Sequence, residues 1–163
     1  MTERTRVGIA EINIARAPGM LVAYGLGSCL GIALYDYQQK LGGLAHTLLP
    51  APHAGVPVER PAKFVATAIE RMFRDLCGLG AESENLTAKL VGGANMFEPM
   101  QPVAKDSIGS RNILAAREIL AEMQIPLVGE NVGGNFGRTM VFDLGTGQVQ
   151  VHSLRGQTPL TVI

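Results

Sequence analysis

A chain of 163 residues with 47% hydrophobic side chains can enclose a core without the disulfides or structural metal that much smaller chains need, and one domain spanning residues 1–163 is expected. Fourteen Lys and Arg balance fourteen Asp and Glu, so no net positive field draws the chain onto phosphate backbones and nucleic acid is not expected as a partner. No apolar run approaches the roughly 20 residues of a membrane span, the opening residues lack the basic-then-apolar pattern of a secretory signal, and the two cysteines, Cys29 and Cys77, are expected as free thiols of a cytoplasmic protein.

In chain order, alternation predicts a strand over residues 7–14, then two more over 20–26 and 30–36 with a glycine cluster as the turn between them. A fourth strand over 41–48 ends at Pro50, Pro52 and Pro57, whose missing amide donors preclude a regular ladder or helix. The loop of roughly a dozen residues that follows is long enough to be functional. Pro61 can open a helix in which Val65, Ile69, Met72 and Leu76 form one apolar stripe before Gly78. A short strand is read over 89–91. A second helix shows Ile113, Ala116, Leu120 and Met123 on one face, with Ser110 or Ser107 as its cap and Pro126 beyond its end. A closing hairpin pairs 139–144 with 148–154 over Gly145-Thr146-Gly147. Runs of strands with two inserted helices make an α+β fold, a layered mixed β-sheet sandwich with the two main helices packed on the outside.

The stretch Tyr24-Gly25-Leu26-Gly27-Ser28-Cys29-Leu30-Gly31 concentrates backbone freedom around a cysteine. Glycines permit close approach of another chain, and successive amide N–H groups at such a bend can converge on a developing oxyanion, which makes Gly27 and Ser28 candidate supporting positions. Two familiar motifs fail here. The dinucleotide fingerprint would need glycine where Leu30 stands, and the serine-hydrolase elbow would need glycine at Leu26 and Leu30. A cysteine in isolation is most often a small buried hydrophobe. What points Cys29 toward chemistry is His46, which a strand pairing could place beside the turn. A thiol with a pKa of about 8.5 is only slightly ionised at neutral pH, and a histidine partner activates it. His46 alone could equally be a core histidine with satisfied ring nitrogens. His53 reads as a rim residue of the proline-rich loop, His152 as an exposed hairpin position, and Cys77 as structural. No Cys or His spacing matches a metal site, and no cofactor is expected.

Taken together, Gly-Leu-Gly-Ser-Cys29, Gly-Leu-Ala-His46, Val91-Gly92-Gly93-Ala94-Asn95-Met96-Phe97, Ile108-Gly109-Ser110-Arg111-Asn112 and Gly133-Gly134-Asn135-Phe136-Gly137-Arg138 resemble the CheD family of chemoreceptor glutamine deamidases, in that family's order. The resemblance implies a cysteine-hydrolase-like fold. It also implies deamidation, and sometimes methylester hydrolysis, of glutamines on methyl-accepting chemotaxis receptors, with Cys29 and His46 at the catalytic positions. A further implied partner is the CheC phosphatase, which binds and inhibits the deamidase in similar systems.

One departure bears on the site. Family members carry a threonine six residues before the cysteine that helps orient the histidine, and here that position is Ala23, whose methyl group accepts no hydrogen bond. Either Ser28, Tyr24 or a backbone carbonyl takes over, or activity is reduced. Lys63-Phe64 also differs from the family's Lys-Tyr. The implied mechanism has His46 deprotonate Cys29, the thiolate attack a receptor glutamine, ammonia leave and water hydrolyse the thioester. Leu30, the loop around His53 and the Met96-Phe97 turn are expected to wall the substrate groove. The competing reading is a noncatalytic module that docks on receptors or CheC. A cysteine peptidase ranks below both, since nothing supplies a long cleft.

Overall fold

The computed structural model describes residues 2–96, 107–153 and 160–163. A short strand β1 (Arg4–Arg6) leads through a bend at residues 7–10 into β2 (Glu11–Arg16). Of the single strand expected over 7–14, residues 7–10 form this bend and only 11–14 are strand, as part of β2, while β1 lies before the expected range and in the other sheet. Ala10 has φ of 60°, a left-handed conformation that no strand accommodates. The apolar alternation misled because Val7 feeds one buried layer while Ile12 and Ile14 feed another.

β3 (Met20–Leu26), β4 (Leu30–Asp36) and β5 (Leu41–Thr47) follow as expected. A 3₁₀ turn at Pro61–Lys63 precedes α1 (Val65–Gly78), in which Val65, Ile69, Met72 and Leu76 are all fully buried. β6 (Leu86–Gly92) is longer than the expected 89–91. Then come α2 (Ile108–Glu122), β7 (Leu127–Val132), β8 (Arg138–Asp143), β9 (Val149–Ser153) and β10 (Leu160–Val162). Of the two candidate caps for α2, Ser107 serves, accepting the Ser110 N–H at 3.3 Å, which satisfies one orphan donor of the first turn. β7 was not anticipated, since it is a half-exposed edge strand with little apolar contrast. The hairpin pairs β8 with β9 as read, although Leu154 lies outside the described residues.

One sheet has the order β1-β3-β8-β9-β10 and the other β2-β5-β4-β6-β7. The glycine turn at 27–29 is thus no hairpin, because it carries the chain from one sheet to the other. Alternation along β4 and β5 divides the core in two. Leu30, Ile32, Leu34, Leu41 and Ala45 face α1 and α2, whereas Ala33, Tyr35 and Leu44 face the other sheet. The layers are therefore helices, sheet, sheet, with both helices on one side. Each fully buried Leu or Ile contributes about 1.5–3 kcal/mol. The two sheets approach closely where Gly42 lacks a side chain: a Cβ there would stand 2.8 Å from the Phe142 ring. No helix among the described residues is long and apolar enough to cross a membrane.

Candidate functional site

The turn that bears Cys29 is fastened by its carbonyls. Gly27 O accepts from Ala94 N at 2.8 Å and Cys29 O from Gly93 N at 2.9 Å. Ser28 O accepts from Asn112 Nδ2 at 2.9 Å, and Leu30 O from Thr47 Oγ1 at 2.9 Å. In a trans peptide the N–H points opposite to the preceding C=O, so the amides of Ser28 and Cys29 are turned away from these anchors.

The motifs that the sequence places far apart meet here. Gly92 has φ of +112°, and a Cβ on it would stand 2.4 Å from Cys29 O, so only glycine allows β6 to lie against the turn. Gly133 N donates to Gly92 O at 2.9 Å and Asn95 N to Gly134 O at 2.8 Å, which seats the glycine-rich segment after β7 on the same backbone. β8 then begins at Arg138, buried at 3% exposure. Its Nε donates to Asn131 Oδ1 at 2.8 Å and its guanidinium stacks 4.2 Å from the Phe136 ring centroid.

β4 and β5 pair Leu30 with Thr47 and Gly31 with His46. His46 lies on the same face as Leu44, and Cys29 belongs to the same inter-sheet cluster as Leu44, so the two side chains face one layer, although no hydrogen bond joins the imidazole Nε2 to the sulfur. Cys29 is 8% exposed and His46 2%. His46 Nδ1–H donates to Val7 O at 3.1 Å. A carbonyl only accepts, so this bond puts the proton of the neutral ring on Nδ1 and leaves Nε2 with its lone pair. Nε2 is buried and meets no hydrogen-bond partner among the described residues.

The bend at 7–10 clamps this histidine. Val7 N donates to Val22 O and Ala10 N to His46 O, each at 2.8 Å. Val7 is thereby held against β3 beside Ala23, which is fully buried. The group that accepts from His46 Nδ1 is thus a main-chain carbonyl, next to the alanine methyl of Ala23. Burial pushes the His46 pKa down from 6.5, opposed by the Val7 bond, with Arg6 lowering it and Glu11 raising it further. Burial pushes the Cys29 thiol up from 9.0 against the effect of its own N–H. Both shifts favour the uncharged forms, the thiol and the neutral imidazole.

Ser28 opens onto a cavity of about 340 Å³ lined also by Ala94, Asn95 and Met96 and by Ser107, Ile108 and Gly109 at the start of α2. Leu30, expected as a groove wall, is fully buried against the helices, because its side chain alternates away from that of Cys29. Met96 does line the cavity, while Phe97 lies outside the described residues. His53 is exposed in the proline-rich loop, whose Val56, Pro57 and Glu59 border a different cavity. His152 is exposed on β9, and Cys77 packs half-buried against the helix-side core. Two groups of the site escaped the sequence. The Val7 carbonyl has no sequence signature. Asn112 did carry one, a polar residue on the apolar face of α2.

These features define a three-layer α+β sandwich with a cysteine at the sheet crossing and a histidine on the next strand. The CheD family profile, described as CheD chemotactic sensory transduction, matches residues 48–153. The chain is 50% identical over 95% of its length to a probable chemoreceptor glutamine deamidase of Geobacter metallireducens, covering 96% of that protein. It is 46% identical, with the same coverage of each chain, to one of Geobacter sulfurreducens. To one of Moorella thermoacetica it is 45% identical over 99% of this chain and 96% of the other. This chain belongs to the CheD family.

Proposed function

We propose that this protein converts glutamine side chains of methyl-accepting chemoreceptors to glutamate, with Cys29 as nucleophile and His46 as general base, in the cytoplasm and without a cofactor. The observation that carries the reading is the bare, buried Nε2 of His46 on the same inter-sheet face as the Cys29 thiol. The names of the relatives support the substrate. The reaction starts from the neutral pair. As the carboxamide carbon approaches, Nε2 takes the thiol proton and the S–C bond forms. The oxyanion meets the amides of Ser28 and Cys29. The imidazolium returns its proton to the departing nitrogen, the C–N bond breaks and ammonia leaves a thioester. Water, deprotonated by Nε2, then breaks the C–S bond, releasing glutamate and the thiol. Throughout, Nδ1–H stays on Val7 O, which fills the orienting role of the family's threonine at Ala23. CheC is the further partner proposed, as an inhibitor of the deamidase.

Mass spectrometry of a receptor cytoplasmic fragment incubated with the protein tests this reading. The amide-to-acid mass gain is expected at defined glutamines and is lost in Cys29→Ala and His46→Ala. Gain that persists in Cys29→Ala refutes the thioester route. No gain with the wild type, alongside retained receptor binding, establishes the noncatalytic docking module instead.

A further inference from the structure

Asn112 is fully buried on the face of α2 that also carries Gly109, Ile113 and Ala116. A side-chain amide in such a setting is costly unless it is hydrogen-bonded. Both protons of its Nδ2 are used, on Ser28 O at 2.9 Å and on Leu48 O at 3.1 Å. Ser28 directly precedes Cys29, and Leu48 stands two residues after His46. The β4–β5 pairing ends at Leu30 and Thr47, so Asn112 bridges the two chains just beyond their last ladder pair, at Leu48 one residue outside it and Ser28 two. Its Oδ1 is buried and has no partner among the described residues, which leaves the donor end as the working part of the side chain.

The placement is enforced from below. A Cβ on Gly109 would stand 2.4 Å from Ala94 O and 2.5 Å from Gly93 O, so the first turn of α2 rests on the same residues whose amides hold Gly27 and Cys29. The first turn of the helix therefore lines the cavity beside Ser28, and its second grips both reacting segments.

We infer that Asn112 is a positioning residue that fixes the Cys29 turn relative to the His46 strand, an inference that rests on the Cys29–His46 reading above. Sulfur and imidazole must come into line for proton transfer, and a misplacement of about 1 Å at a reacting centre can cost about 100-fold. Asn112 reaches carbonyls and not the cavity, so its loss acts on turnover and leaves substrate binding intact.

The test uses the full-length protein and a receptor cytoplasmic fragment. Asn112→Leu keeps the branching of the side chain, at a larger volume, and removes both donors. The expected result is kcat lower by about 100-fold with KM little changed. Asn112→Asp presents only acceptors to the two carbonyls when ionised and regains one donor when protonated, so its activity relative to Asn112→Leu is expected to rise as pH falls. Leu120→Ala, two turns along the same buried face, is the control for lost stability and is expected to keep wild-type kcat well below its Tm. Wild-type kcat in Asn112→Leu overturns the inference, as does an equal fall in Leu120→Ala at matched loss of Tm. Should Asn112→Leu not fold, Asn112→Asp carries the comparison with Leu120→Ala, and a flat pH ratio to wild type then overturns it. Deamidation surviving in Cys29→Ala sinks the underlying reading, whereas an inactive Cys29→Ala beside a fully active Asn112→Leu sinks this inference alone.

Discussion

Replacing Gly109 by alanine sets two effects of opposite sign against each other. In a solvated helix the change is favourable by about 1 kcal/mol, because glycine loses the most backbone freedom on folding. Here the new Cβ would stand 2.4 Å from Ala94 O and 2.5 Å from Gly93 O, whereas C···O contacts are comfortable at about 3.3 Å or more. Both opposing atoms are main chain, so no rotamer relieves the contact and the start of α2 must retreat by about 1 Å to restore that spacing. Overpacking of this kind costs about 1–3 kcal/mol. The retreat also stretches the two Asn112 bonds, at about 0.5–1.5 kcal/mol each. The clash and the lost bonds win, and Gly109→Ala is expected to destabilise by about 2–3 kcal/mol net of the propensity gain. Urea unfolding should show a lower midpoint with an unchanged slope. A midpoint equal to or above wild type would refute the close approach of α2 to β6 on which the site's geometry depends.

Stability should bend at both ends of the pH scale because of the buried pair. His46 binds its proton near 6.5 when unfolded and less readily when buried, so below about pH 6.5 the unfolded chain takes up more protons and stability falls with pH. Cys29 ionises near 9.0 only when unfolded, so stability also falls as pH rises past about 9. Urea midpoints across pH should lose the acid bend in His46→Gln and part of the alkaline bend in Cys29→Ala, part only because Cys77 and Tyr35 shift the same way. Bends identical to wild type in both variants would contradict their burial. Asp36 is fully buried and accepts from the backbone of Gln38, Gln39 and Glu82, each at 2.9 Å. Asp36→Asn turns an NH₂ toward a donor, and a loss of about 2–3 kcal/mol by thermal unfolding is expected. Gly42→Ala should destabilise the wild type by about 1–3 kcal/mol and less in a Phe142→Leu background, since the ring, together with Leu144 Cδ2, fills the space. Strict additivity in that double-mutant cycle would show that the two do not touch.

Much of the architecture was legible because burial imposes periods that the chain must write out. The stripe of Val65, Ile69, Met72 and Leu76 and the run of apolar residues in β4 and β5 read directly as helix and central strands. Where the pattern failed, the reason was local. Residues 7–14 look continuous because apolar residues in both halves pack inward, yet against different layers. β7 is an edge strand with little contrast to display. Leu30 was read as a wall because it adjoins Cys29, but neighbours in a strand face opposite ways.

The site divides along the same line. The residue types for the proposed chemistry, Cys29 in a glycine turn and His46 at the end of a strand, stand in the amino-acid order itself, as do the glycines whose missing Cβ atoms let β6 press against that turn and α2 against the residues that follow β6. Only the tertiary structure could decide that the turn crosses between sheets, that a main-chain carbonyl from Val7 accepts from His46 Nδ1, and that Asn112 holds the Ser28 and Leu48 carbonyls at once. Composition and spacing report what a side chain can do. A peptide carbonyl is the same at every position, so which one meets an imidazole is known only when the chain has folded back upon it.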